Sequence, residues 1–212
     1  MNEELEEIVD WLFQDLDDGW CAQTGGARKN KIGLFWLPGR AKQTAAQIQS
    51  RLPQCALFGC TQAAYPHPFH PAHDQDGKIC WLGLDVDQQE IPQPELIERI
   101  ADLIPQASIR TSTGGQGLHV ILRLADCLTA HNSILGELVR LGAAPYKQIL
   151  EQAGIKVCKA DKRMFWLVGG FNQWIKQTDA TIEVETVKVN AVVTRPTLTQ
   201  ATGPAHTRIL AL

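Results

Sequence analysis

Two aspartates near the middle of the chain, Asp85 and Asp87, end an apolar run from Ile79 to Val86 that reads as a buried strand. Residues i and i+2 of a strand share one face, so the two carboxylates point the same way with their Cα atoms roughly 7 Å apart. Carboxylate oxygens are the ligands that hard divalent cations take. Two such ions roughly 3.5–4 Å apart stabilise both the attacking and the leaving oxygen in phosphoryl transfer. A strand running into an acidic turn has the same local sequence, so the pair needs company before it means a metal site.

Company comes from two further stretches. Arg110-Thr111-Ser112-Thr113-Gly114-Gly115-Gln116-Gly117-Leu118-His119 is a glycine-rich turn between two apolar segments. Glycines such as Gly115 and Gly117 let backbone N–H groups face an anion without a Cβ in the way. Ser112 adds a hydroxyl, and His119 falls on the strand just after the turn. No Lys-Ser/Thr follows, so this is not a Walker A loop, and a strand follows where a dinucleotide fingerprint needs a helix. A tight hairpin with a packed histidine is the plainer alternative. The last stretch, Lys159-Ala160-Asp161-Lys162-Arg163, sets one carboxylate among bases ahead of an apolar strand and a Gly169-Gly170-x-Asn172 turn. Asp161 there can complete a metal site while Arg163 addresses phosphate, or the group can be a surface ion-pair cluster.

The elements that must carry these groups follow from apolar spacing. Leu5, Ile8, Val9, Leu12, Phe13 and Leu16 predict an amphipathic helix over 3–18, and Gly19 with Gly25-Gly26 breaks the pattern before a basic turn at Arg28, Lys29 and Lys31. Strands are expected at 32–37, 55–58, 79–86, 107–111, 118–124, 164–168 and 181–189, and helices at 44–52, 94–104 and 132–152, the last stopped by Gly154. Residues 61–78, with prolines and histidines, read as loop, and residues 190–212 as a loose end or linker. No repeat appears, and the mixture indicates an α+β fold without a long parallel series.

Composition fits such a fold. The 212 residues are 44% apolar and 20% charged, which disfavours disorder. Net charge is −3, yet residues 1–18 hold eight acids and no base, leaving 15 acids against 20 bases in the remainder, a body of +5. A polyanionic partner is therefore compatible with the acidic total. The acidic first helix is expected away from any such site. No apolar run reaches a membrane span and the N-terminus lacks a signal-peptide pattern, so a cytoplasmic protein without membrane contact is expected. Six cysteines without CxxC spacing predict free thiols in preference to disulfides. Cys55, Cys60, His67, His70 and His73 offer zinc ligands, but their spacing matches no standard finger and Cys55 falls in an expected buried strand, so zinc is not expected.

Taken together, Leu84-Asp85-Val86-Asp87, Gly117-Leu118-His119 and Ala160-Asp161 resemble the three motifs of the archaeo-eukaryotic primase superfamily, in particular primase-polymerases of plasmids, phages and integrated elements. The resemblance spans residues 79–172; Ala160 stands where the family has a larger apolar residue. It implies a two-module fold, an N-terminal αβ unit beside an RRM-like unit with the active site in the cleft between them, over residues 1–178, with a terminal strand and loose segment over 179–212. It also implies that Asp85, Asp87 and Asp161 bind two Mg²⁺ or Mn²⁺ ions. Ser112, Gly115, Gly117, His119 and Arg163 would then hold the nucleotide triphosphate. Single-stranded DNA, nucleoside triphosphates and a helicase or replication initiator are the implied partners.

Three other readings compete. A gap-filling polymerase of the end-joining type shares the DxD and the glycine turn before histidine. A binding module could hold nucleotide or single-stranded DNA without turnover, with some of the six tryptophans stacking on bases. A nicking enzyme, suggested by His67-Pro68-Phe69-His70, lacks a tyrosine in a nucleophile context and leaves both the DxD and the glycine turn unexplained.

Overall fold

The computed structural model describes residues 3–13, 16, 19–28, 31–38, 57–66, 75–87, 89–158 and 164–184; within these, the side chains of 25–28 and 31–38 are left aside. Three helices are described: α1 (Glu3–Leu12), α2 (Gln93–Leu103) and α3 (Asn132–Gln152). They accompany strands β1 (Trp20–Arg28), β2 (Lys31–Pro38), β3 (Leu57–Pro66), β4 (Asp76–Val86), β5 (Ser108–Thr111), β6 (Leu118–His131), β7 (Met164–Val168), β8 (Trp174–Lys176) and β9 (Thr181–Ile182). All described strands join one sheet in the order β2-β1-β3-β4-β6-β5-β8, with β7 on β3 and β9 on β6. Among the described strands, only β9 runs parallel to its partner.

Alternation along the central strands divides the core in two. Leu82, Leu84 and Val86 of β4, with Leu118, Val120 and Leu122 of β6, face α2 and α3. Trp81 and Ile121 point to the opposite side, where α1 covers them together with Phe165 and Cys60. The amphipathic spacing of α1 explains its placement. Leu5, Ile8, Val9 and Leu12 are all within 2% of full burial, each worth roughly 1.5–3 kcal/mol of apolar transfer. Helix α3 starts at His131, whose ring accepts from the Ser133 N–H, and ends before Gly154 at φ 79°, a conformation glycine adopts without strain.

From β4 to β7 the element order is βαββαβ, the order of a split βαβ sheet. One feature departs from it: β7 pairs with β3 and not with β4. Strand β3 pairs with β4 at Ala63 and Ala64, then with β7 from Thr61 back to Phe58. At the point of exchange the Gln62 side-chain oxygen accepts from the Gly83 N–H at 2.6 Å. The Phe165 ring fills the space over Gly83, where an added Cβ would lie 2.6 Å from it.

Several expectations change. Residues 20–28 form β1, paired with β2 from Cys21–Pro38 to Arg28–Lys31, so Gly25-Gly26 lies within a strand and is no break. Residues 61–66, expected as loop, extend β3, and β6 runs 14 residues to His131. Helix α1 stops at Leu12, although Phe13 and Leu16 stay buried in the turns that follow. The expected helix at 44–52 and the tail beyond 184 lie outside the described residues, while Thr181–Ile182 adds β9 and buries Ile182 in the core.

The cysteines correct a further expectation. Cys80 and Cys127 form a disulfide between β4 and β6, their Cα atoms 4.3 Å apart. A register shift between Ile79 and Trp81 brings the pair together across strands, and that shift depends on the unexpected length of β6. Cys21 and Cys60 are buried and outside any disulfide, as expected of thiols in a core.

Candidate active site

Strand register assembles the first part of the site. Asp85 on β4 stands opposite His119 on β6, and His119 stands opposite Arg110 on β5. The three form a polar row across the face that α1 covers. His119 Nε2 lies 3.8 Å from Asp85 Oδ1, and its imidazole meets the Phe165 ring edge-on at 5.4 Å. The histidine is thus nearly enclosed, with its Nε2 turned toward the carboxylate.

Asp87 is exposed just past the end of β4. The segment leaving α3 runs back alongside it: Val157 bridges to Val86, and the Cys158 N–H donates to the Asp85 carbonyl at 2.8 Å. The Cys158 thiol then donates to Asp87 Oδ2 at 2.7 Å. Ligand atoms of Asp85, Asp87 and Cys158 all lie within 4.8 Å of one another. A corner made by Gln89 holds this crossing, its Oε1 accepting from the Lys156 N–H at 2.9 Å.

The glycine turn closes against the same strand end. The Ser112 N–H donates to the Gly117 carbonyl at 2.8 Å, and the Gly117 N–H donates to Ser112 Oγ at 3.1 Å. Gly115, at φ 77°, donates its N–H to the Ser112 carbonyl. A Cβ on Gly117 would sit 2.7 Å from the Val86 carbonyl and 3.6 Å from Asp87 Cα, so only glycine allows this approach. Among the described residues, the N–H groups of Thr113, Gly114 and Gln116 have no intramolecular acceptor. Such N–H groups are what a phosphate-binding turn presents. A cavity of about 280 Å³ opens beside it, between Gly115-Gln116 and the first turn of α2 at Pro92-Gln93.

A second turn braces the first. Gly169 and Gly170 take φ 97° and 64°, which lets the Phe171 N–H reach the Thr113 carbonyl at 3.2 Å. The buried Asn172 amide donates to Thr113 Oγ1 at 3.2 Å and to the Gly169 carbonyl at 2.8 Å. Thr111 Oγ1 donates to the Phe171 carbonyl and accepts from the Gln173 N–H at 2.8 Å. Phe171 itself projects into solvent, 69% exposed, with Gly115 against its Cβ.

Of the sequence-derived candidates, Asp85, Asp87, Ser112, Gly115, Gly117 and His119 come together at one end of β4 and β6. Asp161 and Arg163 lie outside the described residues, as do Cys55, His67, His70 and His73. Cys60 is fully buried in β3, and burial pushes its thiol pKa upward, against the thiolate a zinc site requires. Cys158, three residues before Asp161, stands just outside the stretch 159–163 and was not among the sequence-derived candidates. Asn172 was noticed only as part of a glycine motif; its role as a brace depends on contacts 59 residues away.

The acidic helix also sits differently from expectation. It packs on the same face as Asp85 and His119, and Glu4 pairs with Arg110 at 2.6 Å. Arg110 is fully buried, stacked at 4.6 Å on the Trp174 ring; burial pulls its pKa down and the Glu4 carboxylate opposes that shift. An acid helix lands here because the sheet face beneath carries buried arginines, Arg110 and Arg123.

The architecture is mixed α/β, built on a largely antiparallel sheet. Among solved structures the chain is similar to the AEP domain of the cyanophage S-2L primase-polymerase. The TM-score is 0.54 at 14% identity, covering 86% of this chain and 94% of that one. At that identity the likeness establishes the fold. No family model and no curated protein matches the sequence. Among the described residues, no helix is long and apolar enough to cross a membrane.

Proposed function

We propose that the chain is a template-dependent nucleotidyltransferase, the catalytic domain of a DNA primase-polymerase that builds primers on single-stranded DNA. The observation that carries this reading is the convergence of Asp85, Asp87, His119 and the open N–H groups of the glycine turn at one strand end. The donor set fits divalent ions: two carboxylates at one strand end, one of them exposed, with a third donor within 4.8 Å. When bound there, Mg²⁺ or Mn²⁺ would lower the pKa of the attacking hydroxyl and neutralise the departing pyrophosphate.

The chain's own residues supply positioning. The N–H groups of Thr113, Gly114 and Gln116 receive phosphate oxygens, and the Ser112 hydroxyl, whose oxygen already accepts from Gly117, keeps its hydrogen to donate. His119, steered by Asp85 and the Phe165 edge, donates to the triphosphate from a fixed direction. Asp161 would add the third carboxylate. Arg163, two residues further on, would contact phosphate or template. An N-terminal αβ unit beside an RRM-like unit, meeting where β3 exchanges β4 for β7, is the corresponding two-module reading of the sheet. A body of +5 suits a polyanionic template, with binding that weakens as salt rises.

The test supplies nucleoside triphosphates and Mg²⁺ or Mn²⁺ with either unprimed single-stranded DNA or a 5′-phosphorylated gapped duplex. Dinucleotides formed on the unprimed strand are the expected product, and His119→Ala should raise the nucleotide KM. Activity confined to the gapped duplex would indicate a repair polymerase, and nucleotide binding without extension a non-catalytic module.

A further inference from the structure

The site contains a donor that hard-metal chemistry does not require. We propose that Cys158 is a ligand of the divalent-metal site and makes it thiophilic, favouring Mn²⁺ and Co²⁺ over Mg²⁺. This rests on the reading that Asp85 and Asp87 hold a divalent ion.

Geometry sets Cys158 apart from the other described cysteines outside the disulfide. Cys21 and Cys60 are buried in the core, whereas Cys158 is partly open beside two carboxylates. Its backbone is fixed by the bridge between Val86 and Val157 and by its own N–H on the Asp85 carbonyl at 2.8 Å. The side chain is therefore delivered to Asp87 by strand pairing, and the sulfur sits 2.7 Å from Oδ2. Metal–ligand bonds of roughly 2.0–2.5 Å bring ligand atoms about 3–4 Å from one another. Ligand atoms within 4.8 Å need only small side-chain rotations to reach that spacing.

Chemistry then decides which ion gains. Mg²⁺ takes oxygen ligands and draws little from sulfur, so in its presence Cys158 would remain a thiol donating to Asp87. A softer ion exchanges that hydrogen bond for a metal–sulfur bond. The thiol proton departs to solvent, the sulfur keeps its electron pair for the metal, and nothing is oxidised or reduced. Affinity for the softer ions rises and affinity for Mg²⁺ barely changes.

The experiment uses the full chain and does not depend on turnover. Co²⁺ is titrated into wild type and Cys158→Ser while a sulfur-to-cobalt charge-transfer band is followed in the near ultraviolet. Mn²⁺ binding is followed by loss of the free-ion paramagnetic signal, with Mg²⁺ as competitor. The band should appear in wild type and vanish in Cys158→Ser, whose preference for Mn²⁺ over Mg²⁺ should fall about tenfold or more. Cys158→Ala serves where the serine variant fails to fold. A band and a preference that survive Cys158→Ser overturn the proposal and leave the carboxylate site standing. Mn²⁺ affinity unchanged in Asp85→Asn with Asp87→Asn overturns the metal site itself, and this proposal with it.

Discussion

His119 and Asp85 form a cross-strand pair whose packing also fixes the direction of the imidazole. The imidazole is packed against Phe165 and points its Nε2 at a carboxylate 3.8 Å away, an arrangement that sets its direction before any ligand arrives. A different kind of residue, Tyr65, ties β3 to the start of α3 by donating to Asn132 Oδ1 at 2.9 Å. Burial raises its phenol from 10.0 to about 12, because the phenolate would lose water. The neutral form is favoured by the fold, so this contribution is complete below the unfolded pKa of 10 and disappears as pH climbs through about 12. Urea unfolding at neutral pH and again near the upper end of that window should show a loss about 2–3 kcal/mol larger in wild type than in Tyr65→Phe. Equal losses in the two proteins would mean that the phenol does not report on alkaline unfolding.

At the scale of elements, the site depends on how closely the glycine turn approaches β4. Gly117→Ala places a Cβ 2.7 Å from the Val86 carbonyl, and backbone on both sides leaves little room to yield. The turn should move away from Asp87, lowering kcat/KM by about 10²-fold, since displacements of ~1 Å at a reacting centre have that effect. Glu98→Ala, at an exposed position of α2 outside the site, is the control and should stay near wild type. Primer-extension kinetics on both variants check this, and equal rates would contradict it. The turn was legible in the sequence because glycine spacing and the following histidine are local signals. Helix α3 was equally legible, since Gly154 ends its apolar period, while the cap at His131 shows only in the structure. What was not legible depends on distant partners. Residues 61–66 look like loop until β1 and β7 are placed beside them, and the Cys80–Cys127 bond needs a register shift between two strands. Cys158 reaches Asp87 only through the return of the chain after α3, across a separation of 71 residues.

Across the whole molecule, charge is arranged in layers. The acidic helix α1 lies over a sheet face with two buried arginines, Arg110 and Arg123, which pair with Glu4 and Asp179. Arg110 keeps a charge in a site where burial works against it, so its partner matters. Glu4→Gln should destabilise the chain by about 1–3 kcal/mol, below the range for fully enclosed pairs because the Glu4 side chain is 46% exposed. Denaturant unfolding reads this directly; an unchanged midpoint would mean that apolar packing alone holds α1 in place. Outside that helix the chain carries an excess of basic residues, as the proposed template binding requires. The central claim is that Asp85 belongs to a nucleotidyl-transfer site, and extension of unprimed single-stranded DNA by wild type and Asp85→Ala tests it most directly. Wild type should form dinucleotides and longer products, while Asp85→Ala should lose at least ~10²–10³-fold in rate with its circular dichroism unchanged. Extension by Asp85→Ala at the wild-type rate would contradict the assignment.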